Sequence, residues 1–294
     1  MKHTLLKTIT GNPLFIFFNS LLLSTFLLHA NPEIITEKNM VVVIPSYNNS
    51  RYYKANLDSV LSQKYTNFRA IYIDDCSPDG TGDLVEEYIK HYDTDHRITL
   101  IKNSARQGAM ANLYHAIHSC DDNDIILSLD GDDWFAHKKV LSKINQYYQN
   151  PDIWITYGQS QIYPGYTDGW AEEVPTEILQ QNAYRDYRWV TDHLRTFYAW
   201  LFKRIQKEDL FYEGDFFAMT YDQAIMFPML EMSGGRSVFI PDYIYIYNRL
   251  NPINDDKVNQ GLQVYLEHYI RSKKRYTNLK PIINPIPQKD TNHG

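Results

Sequence analysis

The chain has 294 residues, 44% of them apolar and 22% charged, the balance of a globular protein with one large domain or two small ones. A net charge of −6 argues against a nucleic-acid binder, and an anionic ligand would need a local cation to meet it. Two cysteines without CxxC spacing, Cys76 and Cys120, make no disulfide framework and read as small buried thiols.

Lys2 and Lys7 precede an apolar run at 14–28, and small Ala30 follows at a plausible cleavage point. The run falls short of the ~20 residues that span a bilayer. Residues 1–30 therefore read as a signal peptide or membrane anchor, and 31–39 as a linker. The protein is then expected to be exported or membrane-anchored, in a secretory-pathway lumen or extracytoplasmic. Translation from Met40 would instead give a cytoplasmic product.

From residue 40 strands and helices alternate. "MVVVIPSYN" (40–48) reads as a strand, 51–63 as a helix, 68–75 as a strand and 81–92 as a helix. A third strand is expected at 97–103, a third helix at 108–120, a fourth strand at 125–129 and a fourth helix at 138–148. Such alternation implies parallel βαβ units, whose ligand crevice lies outside the carboxyl ends of the strands. Asp74, Asp75, Asp130, Asp132 and Asp133 all collect there. Like charges about 4 Å apart repel by roughly 4 kcal/mol near a protein surface. A divalent cation at "DGD" (130–132) would relieve that repulsion and let an acidic protein hold a diphosphate.

The second half is less regular. One or two strands are expected at 153–163, an aromatic amphipathic helix at 193–205, and a helix at 219–234 kinked or started late by Pro228. A strand or hairpin edge follows at 237–250, then a loop at 251–257, read as a surface loop or a lid. The proline-bearing tail at 280–294 reads as disordered. Tyrosine occurs 24 times; its ring stacks and its hydroxyl bonds, which suits a carbohydrate or nucleotide cleft as well as simple compositional bias. No HExxH, GxxxxGK[ST] or GxSxG spacing occurs, which argues against zinc-protease, P-loop and serine-hydrolase chemistry.

Residues 40–135, through "VVVIPSYNNS", "FRAIYIDDCSPDGTGD", "NSARQGAMANLYHAI" and "DIILSLDGDDWF", resemble the opening of family-2 glycosyltransferases with the GT-A fold. The resemblance implies an α/β, Rossmann-like, mostly parallel sheet flanked by helices. It assigns 40–150 to a nucleotide-sugar-binding half and 151–260 to an acceptor-binding half of the same domain, with a C-terminal helix and tail over 261–294. Pro45, Ser46 and Tyr47 would line the nucleobase pocket, and Asp75 would bind uracil or ribose. Asp130 and Asp132 would hold Mn²⁺ or Mg²⁺ and the donor diphosphate, with Asp133 assisting. The family's arginine before the position of Asn112 is Ala111 here, which leaves Arg106 or Lys102 to supply that charge. Asp222 matches the catalytic base, with Tyr221 in place of the family's glutamate and with Glu213 or Asp215 as fallbacks. His193 has a candidate cleft role beside Arg195, and Lys257 could reach the diphosphate.

The implied reaction is metal-dependent, inverting transfer from a nucleotide-sugar, in the first instance a uridine diphosphate sugar, to a glycan, lipid or protein hydroxyl. Two alternatives stay open on the residues alone. One is a non-catalytic nucleotide-sugar or glycan binder on this fold, for which Tyr221 and Ala111 leave room. The other is a haloacid-dehalogenase-like phosphohydrolase, against which the residues after Asp132 argue.

Overall fold

The computed structural model describes residues 35–283, which fall within one compact unit. The first half runs β1 (Met40–Ser46), α1 (Tyr53–Leu61), β2 (Phe68–Asp74), α2 (Thr81–Tyr92), β3 (Ile98–Lys102), α3 (Ala109–His118), β4 (Ile125–Ser128), β5 (Trp134–Phe135) and α4 (Val140–Tyr148). The second runs β6 (Ile155–Tyr163), β7 (Thr167–Asp168), α5 (Thr176–Gln180), β8 (Arg195–Tyr198), α6 (Ala199–Phe202), β9 (Phe211–Tyr212) and β10 (Asp215–Phe216). It ends with α7 (Tyr221–Ser233), β11 (Ser237–Asn248), α8 (Asp255–Val258) and α9 (Gln260–Ser272).

The main sheet has the order β3-β2-β1-β4-β8-β6-β11-β5, with β7 on the flank of β6. Strands β3, β2, β1 and β4 are parallel, as the alternation of elements predicts. β8 enters antiparallel to both β4 and β6, and β11 returns parallel to β6. The two faces of β1 explain its unbroken apolar run. Val41 and Val43 pack with Met110, Leu113 and Ile117 of α3, while Met40, Val42 and Ile44 pack with Leu57, Val85 and Ile144. A strand covered on both faces has no polar side to alternate with. Each fully buried aliphatic side chain of this kind stabilises the fold by about 1.5–3 kcal/mol.

Four expectations need correction. Residues 195–198 form a strand, with only a four-residue helix at Ala199–Phe202 behind it. The aromatic spacing suggests a helix, but β8 fills the slot between β4 and β6, and the Thr196 hydroxyl bonds both Tyr148 and Thr156 there. Tertiary pairing overrides local spacing. Helix α7 starts at Tyr221 and runs through Pro228, buried on nearly every side, so no late start occurs. Cys120 is buried as expected, but Cys76 is exposed, in the turn after β2 at φ 58°. The first residues of the tail are ordered against the end of α7: Ile283 donates its N–H to Gly234 O, and Arg236 donates to Pro281 O.

The expected signal or anchor segment (1–30) and the tail beyond residue 283 lie outside the described residues. Among the described residues no helix is long and apolar enough to cross a membrane.

Candidate active site

A cavity of about 360 Å³ opens at the carboxyl ends of β1 and β4. It is lined by Pro45, Tyr47, Asp75 and Arg106, by Asp130 and Asp132, and by His193, Asp222 and residues of β11 and the loop after it. Parallel packing of β1 against β2 and β4 brings these strand ends to one edge. Asp74 does not join them: its carboxylate accepts from Ser77 N–H and lies against Gly82.

Asp75 is buried, and its carboxylate accepts from the Asn103 amide and from the N–H groups of Gln107 and Gly108, each at 2.8 Å. Burial alone would raise its pKa, but these hydrogen bonds, Gln107 first, hold it below the usual carboxylate range. Asp75 thus pins the loop that carries Arg106, whose guanidinium stacks 3.9 Å over the Tyr47 ring. Arg106 is therefore the cation available at this end. Lys102 pairs with Asp83 and Glu86 at the exposed surface and does not line the cavity.

The three aspartates after β4 have separate surroundings. Asp133 is fully buried, and its oxygens accept from the Tyr245 hydroxyl at 2.6 Å and from Asn248 N–H at 2.7 Å. Burial, then the charges of Asp132 and Asp130, push it well above the carboxylate range. Asp132 accepts from the Asn251 amide at 2.7 Å, and burial together with Asp130 pushes it up to about 6. Asp130 accepts from the Tyr221 hydroxyl at 3.0 Å and lies 3.3 Å from His193 Nε2. Its burial is outweighed by His193 and then Arg195, which hold it below the usual range.

Gly131 separates Asp130 from Asp132 for a steric reason. A Cβ there would meet Ser46 at 2.6 Å and Asn49 Nδ2 at 2.7 Å. The Gly131→Ala variant is therefore expected to lose about 1–3 kcal/mol of stability through overpacking. A urea unfolding midpoint equal to that of the parent protein would show that the turn has room to spare.

His193 and Arg195 reach the site because β8 pairs with β4, Ser128 opposite Arg195. The imidazole stacks on Tyr245 at 4.6 Å and on Tyr247 at 5.6 Å. Its Nδ1 lies 2.8 Å from the buried Asp192 carboxylate, as a charge contact rather than a well-aimed hydrogen bond. Burial and Arg195 would lower its pKa, but Asp192 and Asp130 outweigh them and lift it to about 9. Arg195 lies 3.1 Å from Asp222, in the first turn of α7, and 3.5 Å from Asp192.

Glu213 and Asp215 stand on or beside the small β9–β10 hairpin and do not line the cavity. Lys257 departs from the expected diphosphate contact. Its ammonium donates to the carbonyls of Arg249 and, at 3.0 Å, Asn251, so it ties together the loop that places Asn251 on Asp132. Sequence reasoning missed Asp192, Asn251 and Asp255. Asp192 has a faint signal as the neighbour of His193, whereas nothing in "NPINDD" marks Asn251 or Asp255.

The donor set fits a divalent cation. Asp130, Asp133 and His193 offer ligand atoms within 4.8 Å of one another. All three line the cavity, as does Asp132, and each of the aspartates also accepts a protein hydrogen bond. Asp130, Asp133 and His193 are then the side chains placed to hold the ion, with Asp132 beside them, the imidazole giving up its proton to do so.

The glycosyl transferase family 2 model matches residues 41–211. An Escherichia coli relative named as the UDP-Glc:alpha-D-GlcNAc-diphosphoundecaprenol beta-1,3-glucosyltransferase WfgD is 31% identical over 121 residues, 41% of this chain and 45% of that protein. Three other curated relatives are matched over only 36%, 37% and 39% of their lengths. S. aureus TarS 1-349 in complex with UDP-GlcNAc superposes with a TM-score of 0.53 at 16% identity, covering 72% of this chain and 59% of that one. The mannosyltransferase PcManGT from Pyrobaculum calidifontis, in complex with GDP-Man and Mn²⁺, superposes with a TM-score of 0.56 at 18% identity, covering 82% and 66%. The fold is thus the mostly parallel α/β sheet of these transferases, and with the family model covering more than half its length, the chain belongs to glycosyl transferase family 2.

Proposed function

We propose that the protein is a divalent-metal-dependent, inverting glycosyltransferase that moves a sugar from a uridine diphosphate sugar to an acceptor hydroxyl. One observation carries this reading: the adjacent residues Tyr221 and Asp222 join the two halves of the chemistry. Tyr221 bonds Asp130, the proposed metal and diphosphate carboxylate, and the next residue, Asp222, bonded to Arg195, lines the same cavity. The nucleotide-sugars in the names of the E. coli and S. aureus relatives support the donor class.

The Tyr47–Arg106 pair offers a flat cationic face to the nucleobase end. When bound, Mn²⁺ or Mg²⁺ supplies positive charge to the diphosphate as the leaving group becomes more negative. Asp130, Asp132 and His193 position that end of the donor. The Asp222 carboxylate accepts the acceptor proton, the acceptor oxygen bonds to the anomeric carbon, and the bond to the diphosphate breaks. A single displacement inverts the configuration and needs no covalent enzyme intermediate. Arg195 keeps Asp222 aimed, a positioning role in which a lysine would not reproduce the planar fork.

The test is nucleotide release by the full chain from a panel of nucleotide-sugars, with Mn²⁺ or with chelator, beside Asp132→Ala. Release from one donor that is lost with chelator and in the variant is the expected outcome. Equal release with chelator present removes the metal from the reading, and neither release nor nucleotide binding removes the donor site.

A further inference from the structure

Trp170 and Tyr247 have no part in the chemistry above, yet both line the cavity. We propose that they form a saccharide subsite, so that the acceptor presents a pyranose ring to Asp222 rather than an isolated lipid or protein hydroxyl. This rests on the glycosyltransferase reading and names its acceptor class.

Position comes first. In the sheet order the nucleobase end belongs to β1, β2 and β3, and the aspartates follow β4. Trp170 follows β7, which pairs with β6, and Tyr247 lies on β11, so both stand beyond β8 on the opposite side of the aspartates. Asp222 is bonded to Arg195 of β8, the strand between the aspartates' β4 and β6. The rings also connect to the reaction centre. Trp170 meets Tyr247 edge-on at 5.9 Å, and Tyr247 stacks on His193, which contacts Asp130. A sugar seated against Trp170 therefore lies within a few ring widths of the aspartates.

Rigidity is the second observation. Trp170 is 41% exposed, and a lone exposed ring is ordinary on a protein surface. The chain leading into this one is anchored to β6 and β11. Gly169 donates its N–H to Ser160 O at 2.9 Å, and a Cβ on Gly169 would meet Ser160 Oγ at 2.2 Å. The Asp168 carboxylate accepts from the Tyr243 hydroxyl. The backbone that carries the ring is thus fixed before a ligand arrives, which lowers the ordering cost of binding.

Ligand chemistry is the third. A pyranose has an apolar C–H face and a rim of hydroxyls, and an aromatic plate among polar side chains matches both. Asn254, Gln263 and Asp255 line the same cavity as Trp170. An acyl or polyprenyl chain would gain nothing from those polar neighbours.

The test uses the full chain with UDP and Mn²⁺, and methyl glycosides of glucose, galactose and N-acetylglucosamine as probes. Saturation-transfer NMR reads their binding without turnover. At least one glycoside is expected to bind, with its dissociation constant raised roughly tenfold in Trp170→Ala and largely restored in Trp170→Phe. Thermal unfolding checks that both variants fold. Equal binding by parent and Trp170→Ala, or no glycoside binding at all, overturns the subsite. So does Trp170→Phe binding as weakly as the alanine variant while folded. Failure of the glycosyltransferase reading appears separately, as no nucleotide release from any donor, and leaves the binding result readable.

Discussion

Asp222→Asn is expected to lower the rate of sugar transfer by about 10²–10⁴-fold, the usual contribution of a positioned base. Asparagine keeps the shape and can still accept a hydrogen bond from Arg195, but it cannot take the acceptor proton. On the proposed reading the donor is held by Tyr47, Arg106, Asp130 and Asp132 rather than by Asp222, so the loss should fall on kcat rather than on the donor KM. Steady-state kinetics with saturating donor and a fixed acceptor measure both. The competing carboxylate is Asp255 on α8, which lines the same cavity. Burial and then the charge of Asp222 push it up to about 6. A rate preserved in Asp222→Asn but lost in Asp255→Asn would move the base to α8.

Glu231→Ala is expected to destabilise the fold by about 3–5 kcal/mol, because it leaves a buried guanidinium without its partner. The Arg185 and Glu231 side chains are 2% and 0% exposed. Arg185 donates two parallel bonds to Glu231, at 2.6 and 2.9 Å, and a third to Ile270 O at 2.6 Å. Glu231 also accepts from Tyr276 N–H at 2.9 Å. One carboxylate on α7 thus holds the segment around residue 185, the end of α9 and the chain beyond it. A Tm lower by roughly 6–20 °C follows for a domain of this size. Replacing both partners with apolar residues, as in Arg185→Met with Glu231→Leu, should recover much of the loss, since no unpaired charge then remains. A single variant melting within 2 °C or so of the parent would mean that water reaches Arg185 and takes the carboxylate's place.

Both variants act on α7, and they differ in what the sequence reveals about them. Asp222 is singled out through the family resemblance, which matches "TYDQA" (220–224) to the base position at a helix start. Glu231 is not, since a glutamate in an apolar helix gives no hint of the arginine it will meet 46 residues away.

The regular first half was readable for a simple reason. Strands β1, β2 and β4 and helices α1 to α3 carry their burial in their own periodicity, and parallel pairing forces their polar ends to one edge. The placement of Asp75, Asp130 and Asp132 on one cavity follows from that alone. What lies beyond β4 depends on contacts between residues far apart in the chain. β8 looked helical because its aromatic spacing is ambiguous, and only the vacant slot between β4 and β6 made it a strand. That one change carries His193 and Arg195 to the carboxylates. In the same way, Lys257 looked like a phosphate ligand by charge, but its ammonium is used to close the loop at 249–257. Local pattern determined that the carboxylates after β2 and β4 share one edge, because a strand's own residues dictate where it is buried. Tertiary structure decided the surroundings of His193, Arg195 and Lys257, because there each side chain's contacts are set by partners that the sequence holds apart.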